Sequence, residues 1–348
     1  MSSPPVRARH PTISDVAAAA VVSKSTVSNV IRGVPTVRPG TRERVLRCID
    51  ELGYEPNAHA QQLVLQRPTV FGVVVGDLAN PFYAEMAKQI ERAAAARGYQ
   101  AMFCNTQGDE DTELKAIQSF LQYRVAGILF LAYAGDAERA RRASEGRVPA
   151  AFVTCTAGWG DVVGGDDRDG AAKVTQHLLD LGHRRIAYFT DPIVEDAADR
   201  DRQEGYRSVL ERAGLEPASF HWERPAQKPA RPDRNEAQMD AVLRDGFTAV
   251  FSSNDLGAIE LLECADRLGI RVPEKLSVAG FDDVLMAGMA RINLTTVRQP
   301  QEELARLAVE TLAARACGEL IGGSLRRTVE LELVIRGSTA APGAGGSV

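Results

Sequence analysis

The 348-residue sequence lacks the features of a membrane, secreted or disulfide-stapled protein. Its apolar runs fall well short of the ~18 residues that a membrane span requires. Residues 1–11 contain arginine and proline but no apolar core, so no secretory signal is expected there. The five cysteines are scattered and form no CxxC pair, which favours reduced thiols in a cytoplasmic protein over a disulfide framework or a zinc site.

The motifs of common enzyme classes are missing as well. The sequence has no GxSxG, no GxGxxG after the first predicted strand, no P-loop and no HExxH. We therefore expect no enzyme activity, no metal and no cofactor. A free solute-binding protein is the rival class, because most of the chain fits it, but a basic N-terminal head and the missing export signal argue against it.

Charge is distributed unevenly along a chain whose formal net charge is −5. Residues 1–67 carry nine Lys/Arg against five Asp/Glu, a net charge of +4. The remaining residues carry 32 against 41, a net charge of −9. A small basic head on a large acidic body predicts that only the head meets a polyanion.

The basic head shows the spacing of three short helices. Thr12–Asp15 has the form of a capping box, and Ser23 can cap a second helix after a short turn. A third helix from Pro39 to Leu52 is followed by Gly53, which is well placed to end it. This helix is expected to pack Val45, Ile49 and Leu52 inward and to show Arg42, Arg44 and Arg47 outward. The spacing fits a helix-turn-helix, although a plain small helical domain stays open on the residues alone.

From Thr69 onward the sequence alternates between short β-branched runs, such as Val70–Val75, and helical stretches, such as Tyr83–Arg97. This alternation predicts parallel sheets covered by helices, and its length predicts two α/β lobes. Ligands of such folds bind at the carboxyl ends of the strands or in a cleft between lobes.

Ordered motifs along the chain carry a family resemblance. The segment ISDVAAAAVVSKSTVSNVIRG, followed by TRERVLRCIDELGYEPNAHAQQL, closely resembles the headpiece of the lactose-repressor (LacI/GalR) family of bacterial transcription regulators. DLANPFY, LGHRRIAYF, VPEKLSVAGFDD and ELVIRGST extend the resemblance to Thr339. It implies an all-α helix-turn-helix headpiece joined to an α/β two-lobed effector domain like that of periplasmic binding proteins.

The resemblance also implies the domain boundaries. Three crossovers between the lobes would form a hinge, so that closure over a ligand is the expected motion. Lobe one is expected at about 68–164 and 295–322, and lobe two at about 165–294 and 323–340. The expected segments are a flexible leader at 1–11, a DNA-binding domain at 12–56, a hinge helix at 57–67, an effector and dimerisation core at 68–340, and a disordered tail at 341–348.

By the same resemblance, the second helix contacts bases in the major groove, and the hinge helix inserts a side chain between base pairs. Lys24, Ser25 and Asn29 match major-groove positions, where lysine favours guanine and asparagine favours adenine. Leu63 matches a side chain that inserts between base pairs, with an ordinary core leucine as the alternative. The implied DNA-contacting set is Thr12, Lys24, Ser25, Thr26, Ser28, Asn29, Thr41, Tyr54, Asn57, Ala60 and Leu63.

The sequence departs from the family pattern in the headpiece. Val21 replaces the glycine of the turn, and a β-branched residue at positive φ would be strained, so the turn is expected to differ slightly. Asn29 replaces the usual arginine at the end of the recognition helix. These changes bear on the operator sequence rather than on DNA binding.

The resemblance implies an effector site whose residues suit a carbohydrate. Arg202 offers paired donors to a hydroxyl or carboxylate, and Asp255 accepts from hydroxyl or amino groups. The alternatives are that Phe82 belongs to the core, that Arg202 and Asp255 form a structural ion pair, and that Asp166 and Asp167 cap a helix. The implied effector-binding set is Asp77, Phe82, Tyr83, Arg202, Trp222, Asp255 and Gln299.

The implied function is sequence-specific transcriptional regulation, by family habit repression. The expected partners are double-stranded DNA with a near-palindromic operator, a small-molecule effector, and a second copy of the chain in a homodimer. No membrane partner is expected, and the protein would work at the nucleoid in the cytoplasm. Whether the effector acts as inducer or corepressor stays open.

Overall fold

The computed structural model describes residues 11–31, 33–54, 68–131, 137–144, 146–190, 197–221 and 232–343. The chain divides into two compact units, Met1–Pro68 and Thr69–Val348, here called the headpiece and the body. No helix in the described part of the chain is long and apolar enough to cross a membrane. Four residues predicted to bind DNA or effector lie outside the described residues: Asn57, Ala60, Leu63 and Trp222.

The described part of the headpiece, residues 11–31 and 33–54, has three helices: α1 (Ile13–Ala19), α2 (Lys24–Ile31) and α3 (Pro39–Leu52). The predicted capping box is present, because the Thr12 backbone N–H and hydroxyl both donate to Asp15 Oδ2 at 2.7 Å. Ser23 Oγ accepts from the Thr26 N–H at 3.1 Å ahead of α2, as expected. Gly53 ends α3 at φ 60°, a conformation that glycine adopts without strain.

The headpiece core corrects part of the prediction for α3. Val45 is buried and Ile49 packs against the core, but Leu52 is 40% exposed and Cys48 is buried instead. Position 48 follows Val45 by three residues and stays on the same face. Position 52 follows Val45 by seven residues and shares that face, but it is the last residue of α3, where the core covers it less.

Of the three arginines predicted to point outward, Arg42 is half-buried and Arg44 is exposed, although each donates a hydrogen bond to the headpiece backbone. Arg42 Nη2 donates to the Val34 carbonyl at 2.6 Å, and Arg44 Nε donates to the Ala20 carbonyl at 2.9 Å. These carbonyls follow the ends of α2 and α1, where backbone acceptors have lost their intrahelical partners. Arg47 remains exposed.

The turn between α1 and α2 keeps a left-handed residue even without glycine. Val21 has φ 52° and its side chain is 84% exposed. The Val22 N–H still donates to the Ala17 carbonyl at 3.0 Å, which closes the end of α1. The turn therefore keeps its left-handed residue rather than changing shape, and Val21 adopts that conformation at a steric cost to its β-branched side chain.

The described residues of the body form three sheets. The longest sheet has six parallel strands in the order β11-β5-β4-β3-β1-β2, and a second has four parallel strands in the order β7-β6-β8-β9. The third is the antiparallel pair β10-β12. The strands are β1 (Val70–Val75), β2 (Gln100–Asn105), β3 (Gly127–Phe130), β4 (Ala150–Val153), β5 (Asp161–Gly165), β6 (Ile186–Thr190), β7 (Ala218–His221), β8 (Ala249–Ser252), β9 (Ser277–Ala279), β10 (Thr296–Arg298), β11 (Arg326–Val329) and β12 (Glu332–Val334).

Helices follow most of the parallel strands, as the alternation in the sequence predicts. We call the six-stranded sheet with its helices lobe one, and the four-stranded sheet with its helices lobe two. A short 3₁₀ helix, Leu285–Gly288, lies between β9 and β10. The body helices are α4 (Pro81–Ala95), α5 (Glu110–Gln122), α6 (Ala137–Ser144), α7 (Asp167–Asp180), α8 (Ala197–Arg212), α9 (Pro232–Arg244), α10 (Asp255–Arg267) and α11 (Gln301–Ala316).

The chain passes between the lobes three times: after β5, around β10, and after β11. The third crossover lies later than the predicted position near residue 323, because β11 still pairs with β5 in lobe one. Asp161 fixes this arrangement, since its carboxylate forms a two-bond ion pair with Arg315 at 2.8 and 2.9 Å. The same carboxylate accepts from the Leu325 N–H at 2.8 Å, directly before β11.

Replacing Val21 by glycine should stabilise the headpiece, because glycine adopts positive φ without the steric cost that valine incurs. We expect a gain of about 1 kcal/mol after allowing for the greater freedom of glycine in the unfolded chain. Amide hydrogen exchange of α1 and α2 in the full-length protein measures the effect. The control is Val22→Gly, which removes a partly buried side chain and should speed exchange. Faster exchange in Val21→Gly would contradict the assignment of strain.

Candidate functional site

The outer face of α2 presents uncharged hydrogen-bonding groups and one ammonium. Lys24 and Ser25 are exposed, while Val27 and Val30 are buried against the headpiece core. The helix contains no acidic residue. It can therefore approach a phosphate backbone without repulsion from its own side chains. The other predicted contacts on the headpiece are half-exposed: Thr12, Thr26, Ser28, Asn29, Thr41 and Tyr54.

In the body, Arg202 of α8 is the centre of a buried polar cluster. Its Nε donates to Asp167 Oδ1 at 2.7 Å, and its Nη1 donates to the Ser253 carbonyl at 2.7 Å. The guanidinium carbon lies 3.9 Å from the centre of the Phe281 ring. Asp282 Oδ1 lies 3.9 Å from Nη1.

This arrangement corrects two of the sequence-based alternatives. Arg202 forms ion pairs with Asp167 at 2.7 Å and Asp282 at 3.9 Å, whereas Asp255 binds Thr296 and the Val284 N–H. Asp166 does cap α7, accepting from the Asp169 N–H at 3.0 Å, whereas Asp167 is buried and serves the arginine. Because successive residues at the start of a helix point in different directions, Asp166 faces the N-terminal amides of α7 and Asp167 faces Arg202 of α8.

Asp255 fixes the chain around the second crossover. It has no exposed surface, and its Oδ1 accepts from Thr296 Oγ1 at 2.5 Å while Oδ2 accepts from the Val284 N–H at 2.9 Å. A Cβ at Gly280 would lie 2.3 Å from Asp255 Oδ1, so this close approach requires glycine. In this structure Asp255 therefore binds the protein's own backbone and hydroxyl groups, unlike the predicted ligand acceptor.

Gln299 and Asp282 meet at the carboxyl end of β9. Gln299 Nε2 donates to Asp282 Oδ1 at 2.8 Å, and Gln299 is buried, with 3% of its surface exposed. Its Oε1 has no hydrogen-bond partner within the described residues. Asp282 was not among the predicted site residues, although the paired aspartates of the GFDD motif follow a buried strand and could have indicated it.

The backbone at this point is held in an unusual conformation. Asp282 and Asp283 have φ 125° and 54°, which few non-glycine residues adopt. Asp283 is anchored by Arg298 at 2.7 Å and Arg336 at 2.5 Å. These two ion pairs offset the cost of the strained backbone that carries Asp282.

The predicted residues of lobe one lie at the end of β1 and the start of α4. Asp77 is half-buried and its Oδ1 accepts from the Ala79 N–H at 2.9 Å. Phe82 is buried in the core, so the structure supports the core alternative rather than a ligand stack. Tyr83 is half-buried and lies edge-on to Phe82, with ring centres 5.5 Å apart.

One side chain joins α4 to the segment between β9 and β10. Glu85 Oε1 accepts from the Leu285 N–H at 2.9 Å, and its Oε2 accepts from Gln301 Nε2 at 3.4 Å. Leu285 follows the strained pair at residues 282 and 283, so this contact links lobe one to the edge of lobe two that carries Asp282. Sequence reasoning did not indicate it, because a glutamate on an amphipathic helix has no special signature.

Burial dominates the ionisation of the cluster. It raises the pKa of Asp282 to about 7, although Arg202 and the Gln299 hydrogen bond act in the opposite direction. Burial also raises the pKa of Asp255 well above its ordinary value, and the Asp282 carboxylate adds to that rise. The pKa of Asp167 is raised by burial despite its ion pair with Arg202.

These shifts make the stability of the body depend on pH. The folded body holds a proton on Asp282 that the unfolded chain releases near pH 4, so stability present in acid is lost as pH rises through about 7. We expect a loss of roughly 3–4 kcal/mol between about pH 4 and pH 7, seen by calorimetry. Asp282→Asn should flatten the decline, while Asp245→Asn at an exposed position should not. An unchanged slope in Asp282→Asn would contradict this assignment.

Comparisons with known proteins agree with both units. A family model described as "Bacterial regulatory proteins, lacI family" matches residues 12–57, and one described as "Periplasmic binding protein-like domain" matches residues 175–339. The ribose operon repressor of Escherichia coli K12 is 33% identical over 323 residues, covering 87% of this chain and 92% of that protein. The transcriptional regulator DegA of Bacillus subtilis 168 is 34% identical over 338 residues, covering 94% and 98%.

Solved structures extend the similarity to the whole fold. The lac repressor dimer bound to operator and the anti-inducer ONPF superposes with a TM-score of 0.80 at 27% identity, covering 96% of this chain and all of that one. The regulator CelR in complex with cellobiose gives a TM-score of 0.66 at 30% identity, covering 94% and 99%. The predicted fold class and family resemblance are thereby confirmed. The chain belongs to the LacI family of bacterial transcription regulators.

Proposed function

We propose that this regulator is a repressor that binds a near-palindromic operator as a homodimer. A small molecule that binds between its lobes would raise or lower its affinity for the operator. The observation that carries the proposal is the polar, acid-free face of α2, held by a capped helix-turn-helix in a chain whose relatives are named repressors. Helix-turn-helix dimers place such a helix in the major groove of each half-site. DNA binding would place the protein at the nucleoid in the cytoplasm.

Base contacts are assigned to the exposed end and side of α2. Lys24 suits guanine O6 and N7, Asn29 suits the edge of adenine, and Ser25 suits either. Thr26 and Ser28 would contact the groove or its phosphates, while Thr12, Thr41 and Tyr54 would contact the backbone. The hinge contacts proposed for Asn57, Ala60 and Leu63 belong to a segment outside the described residues.

The effector is assigned to the cluster at the carboxyl end of the lobe-two sheet. Arg202, Asp282 and Gln299 lie together there, and two interlobe crossovers pass through this point. Carbohydrate is the favoured class because ribose and cellobiose appear in the names of the ribose operon repressor and the CelR complex. Tyr83, Asp77 and Trp222 are proposed to line the cleft, with Asp255 supporting the crossover.

The proposed coupling runs through lobe closure. An effector shifts operator affinity only by its differential affinity for two states, typically about 1–3 kcal/mol. In the state seen here, the Leu285 N–H donates to Glu85 of lobe one. A ligand that moves the segment around residue 285 would therefore alter this hydrogen bond between the lobes. Lobe one follows the headpiece in the chain and would pass this change on to the paired hinges.

Removing the Lys24 ammonium should weaken operator binding because a base contact is lost. We expect Lys24→Ala to cost about 1–3 kcal/mol and to relax specificity at one base pair, measured by fluorescence anisotropy on fragments from upstream of the gene. The matched control is Lys115→Ala, which removes an exposed cation from α5 in the body. Equal affinity of the two variants would count against α2 as the recognition helix.

The salt dependence of operator binding tests the electrostatic part of the proposal. Because the basic headpiece would displace counterions from the DNA, log K should fall linearly with log salt, by about 0.9 for each phosphate contact. The same anisotropy titration, repeated at several salt concentrations, measures the slope. A flat dependence would exclude the headpiece as a phosphate-binding module.

A further inference from the structure

The polar cluster at the carboxyl end of the lobe-two sheet contains more buried acid than buried base. Asp167 comes from the start of α7, Asp255 from the start of α10, and Asp282 from the end of β9. All three residues are buried, as is Arg202, the cation that lies among them. With every carboxyl ionised, this group would carry two negative charges in excess.

Neighbouring cations among the described residues do not remove the excess. Arg298 and Arg336 approach the cluster, but both bind Asp283, at 2.7 and 2.5 Å. Arg298 also binds Glu332 at 2.8 Å. Further acids add to the imbalance, since Asp166 and Asp201 both act on Asp167 through space. The described part of the cluster therefore holds fewer cations than carboxyl groups, and this shortage favours a ligand that brings a positive charge.

The cluster also offers more acceptors than donors. The Arg202 guanidinium donates to Asp167 and to the Ser253 carbonyl, and Phe281 covers one of its faces. Gln299 Nε2 donates its hydrogen bond to Asp282. The Oε1 of the same amide is buried and has no hydrogen-bond partner within the described part of the chain. A buried acceptor without a donor costs free energy unless a ligand supplies one.

We propose that the effector carries a positively charged amino group, and that this ammonium binds beside Asp282 and Gln299. The ligand class is an amino sugar or a related amine-bearing polyol. An ammonium supplies both missing elements at once, because it donates three hydrogen bonds and carries a compact positive charge. The inference rests on the proposed function, of which it specifies the effector.

The ionisation of the cluster is consistent with a missing cation. The pKa of Asp282 lies at about 7 because its burial is only partly offset by Arg202 and Gln299. A ligand ammonium in contact with Asp282 would favour the carboxylate and lower that pKa. A phosphorylated or acidic ligand would instead add negative charge to an acid-rich site, and a neutral polyol would donate hydrogen bonds without balancing the charge.

The test is calorimetric titration of the full-length protein with matched ligands at about pH 7, where sugar amines are still largely protonated and Asp282 is partly ionised. The probes are D-glucosamine, D-galactosamine and D-mannosamine, each beside its neutral parent, its N-acetyl derivative and the 6-phosphate of the parent. We expect at least one amino sugar to bind about tenfold or more tightly than its parent and its N-acetyl form, since a unit charge in a partly buried site contributes at least about 1.4 kcal/mol. The phosphates should bind most weakly.

Two variants separate charge recognition from general damage to the protein. Asp282→Asn keeps the shape of the side chain and should bring the ratio of amine to parent affinity close to one. Asp245→Asn removes one negative charge at an exposed position before β8 and should leave the ratio unchanged. Circular dichroism of both variants checks that they fold, and Asp282→Glu, which restores the charge, should recover part of the preference.

The inference is overturned if no amino sugar binds, if a neutral, N-acetyl or phosphorylated form binds as tightly in every series, or if Asp282→Asn keeps the preference. Operator binding is measured on the same preparations. A protein that binds its operator and responds to a neutral or phosphorylated sugar would retain the proposed function while this inference fails. A protein that binds no upstream DNA would fail the proposed function whatever its charge preference.

Discussion

The position of one buried guanidinium constrains the whole body of this regulator. Arg202 reaches from α8 to the start of α7, to the end of β8 and to the end of β9. A buried cation is stable only where acids and carbonyls satisfy it, so these elements must converge on one point. The crossovers that join the lobes pass the same point, which ties the packing of lobe two to the geometry between the lobes.

The sequence predicts elements better than it predicts the pairing of polar side chains. Capping residues such as Thr12 and Gly53 act within one turn of chain, so their roles could be inferred from local spacing. The partner of Arg202 could not, because Asp167 and Asp255 precede two different helices, and only the folded sheet shows which carboxylate faces the arginine. For the same reason Asp282 was missed, although it lies in the VPEKLSVAGFDD motif that carries the family resemblance.

The corrections in the headpiece have a common physical cause. Arg42 and Arg44 were expected only to point outward from α3, yet each donates to a backbone carbonyl that follows another helix. In a domain with a small core, such side-chain caps contribute a large share of the tertiary contacts. Charge by itself therefore does not identify a DNA-binding face, and the face proposed for that role is the exposed polar side of α2.

The contact between Glu85 and residue 285 has an asymmetric evolutionary consequence. The donor is a main-chain amide, while the Leu285 side chain is 75% exposed and takes no part in the bond. Position 285 can therefore drift through almost any non-proline residue without losing this tether, since proline alone lacks the N–H. Position 85 has no such freedom, so selection on the movement of the lobes would act on the glutamate and leave its partner variable.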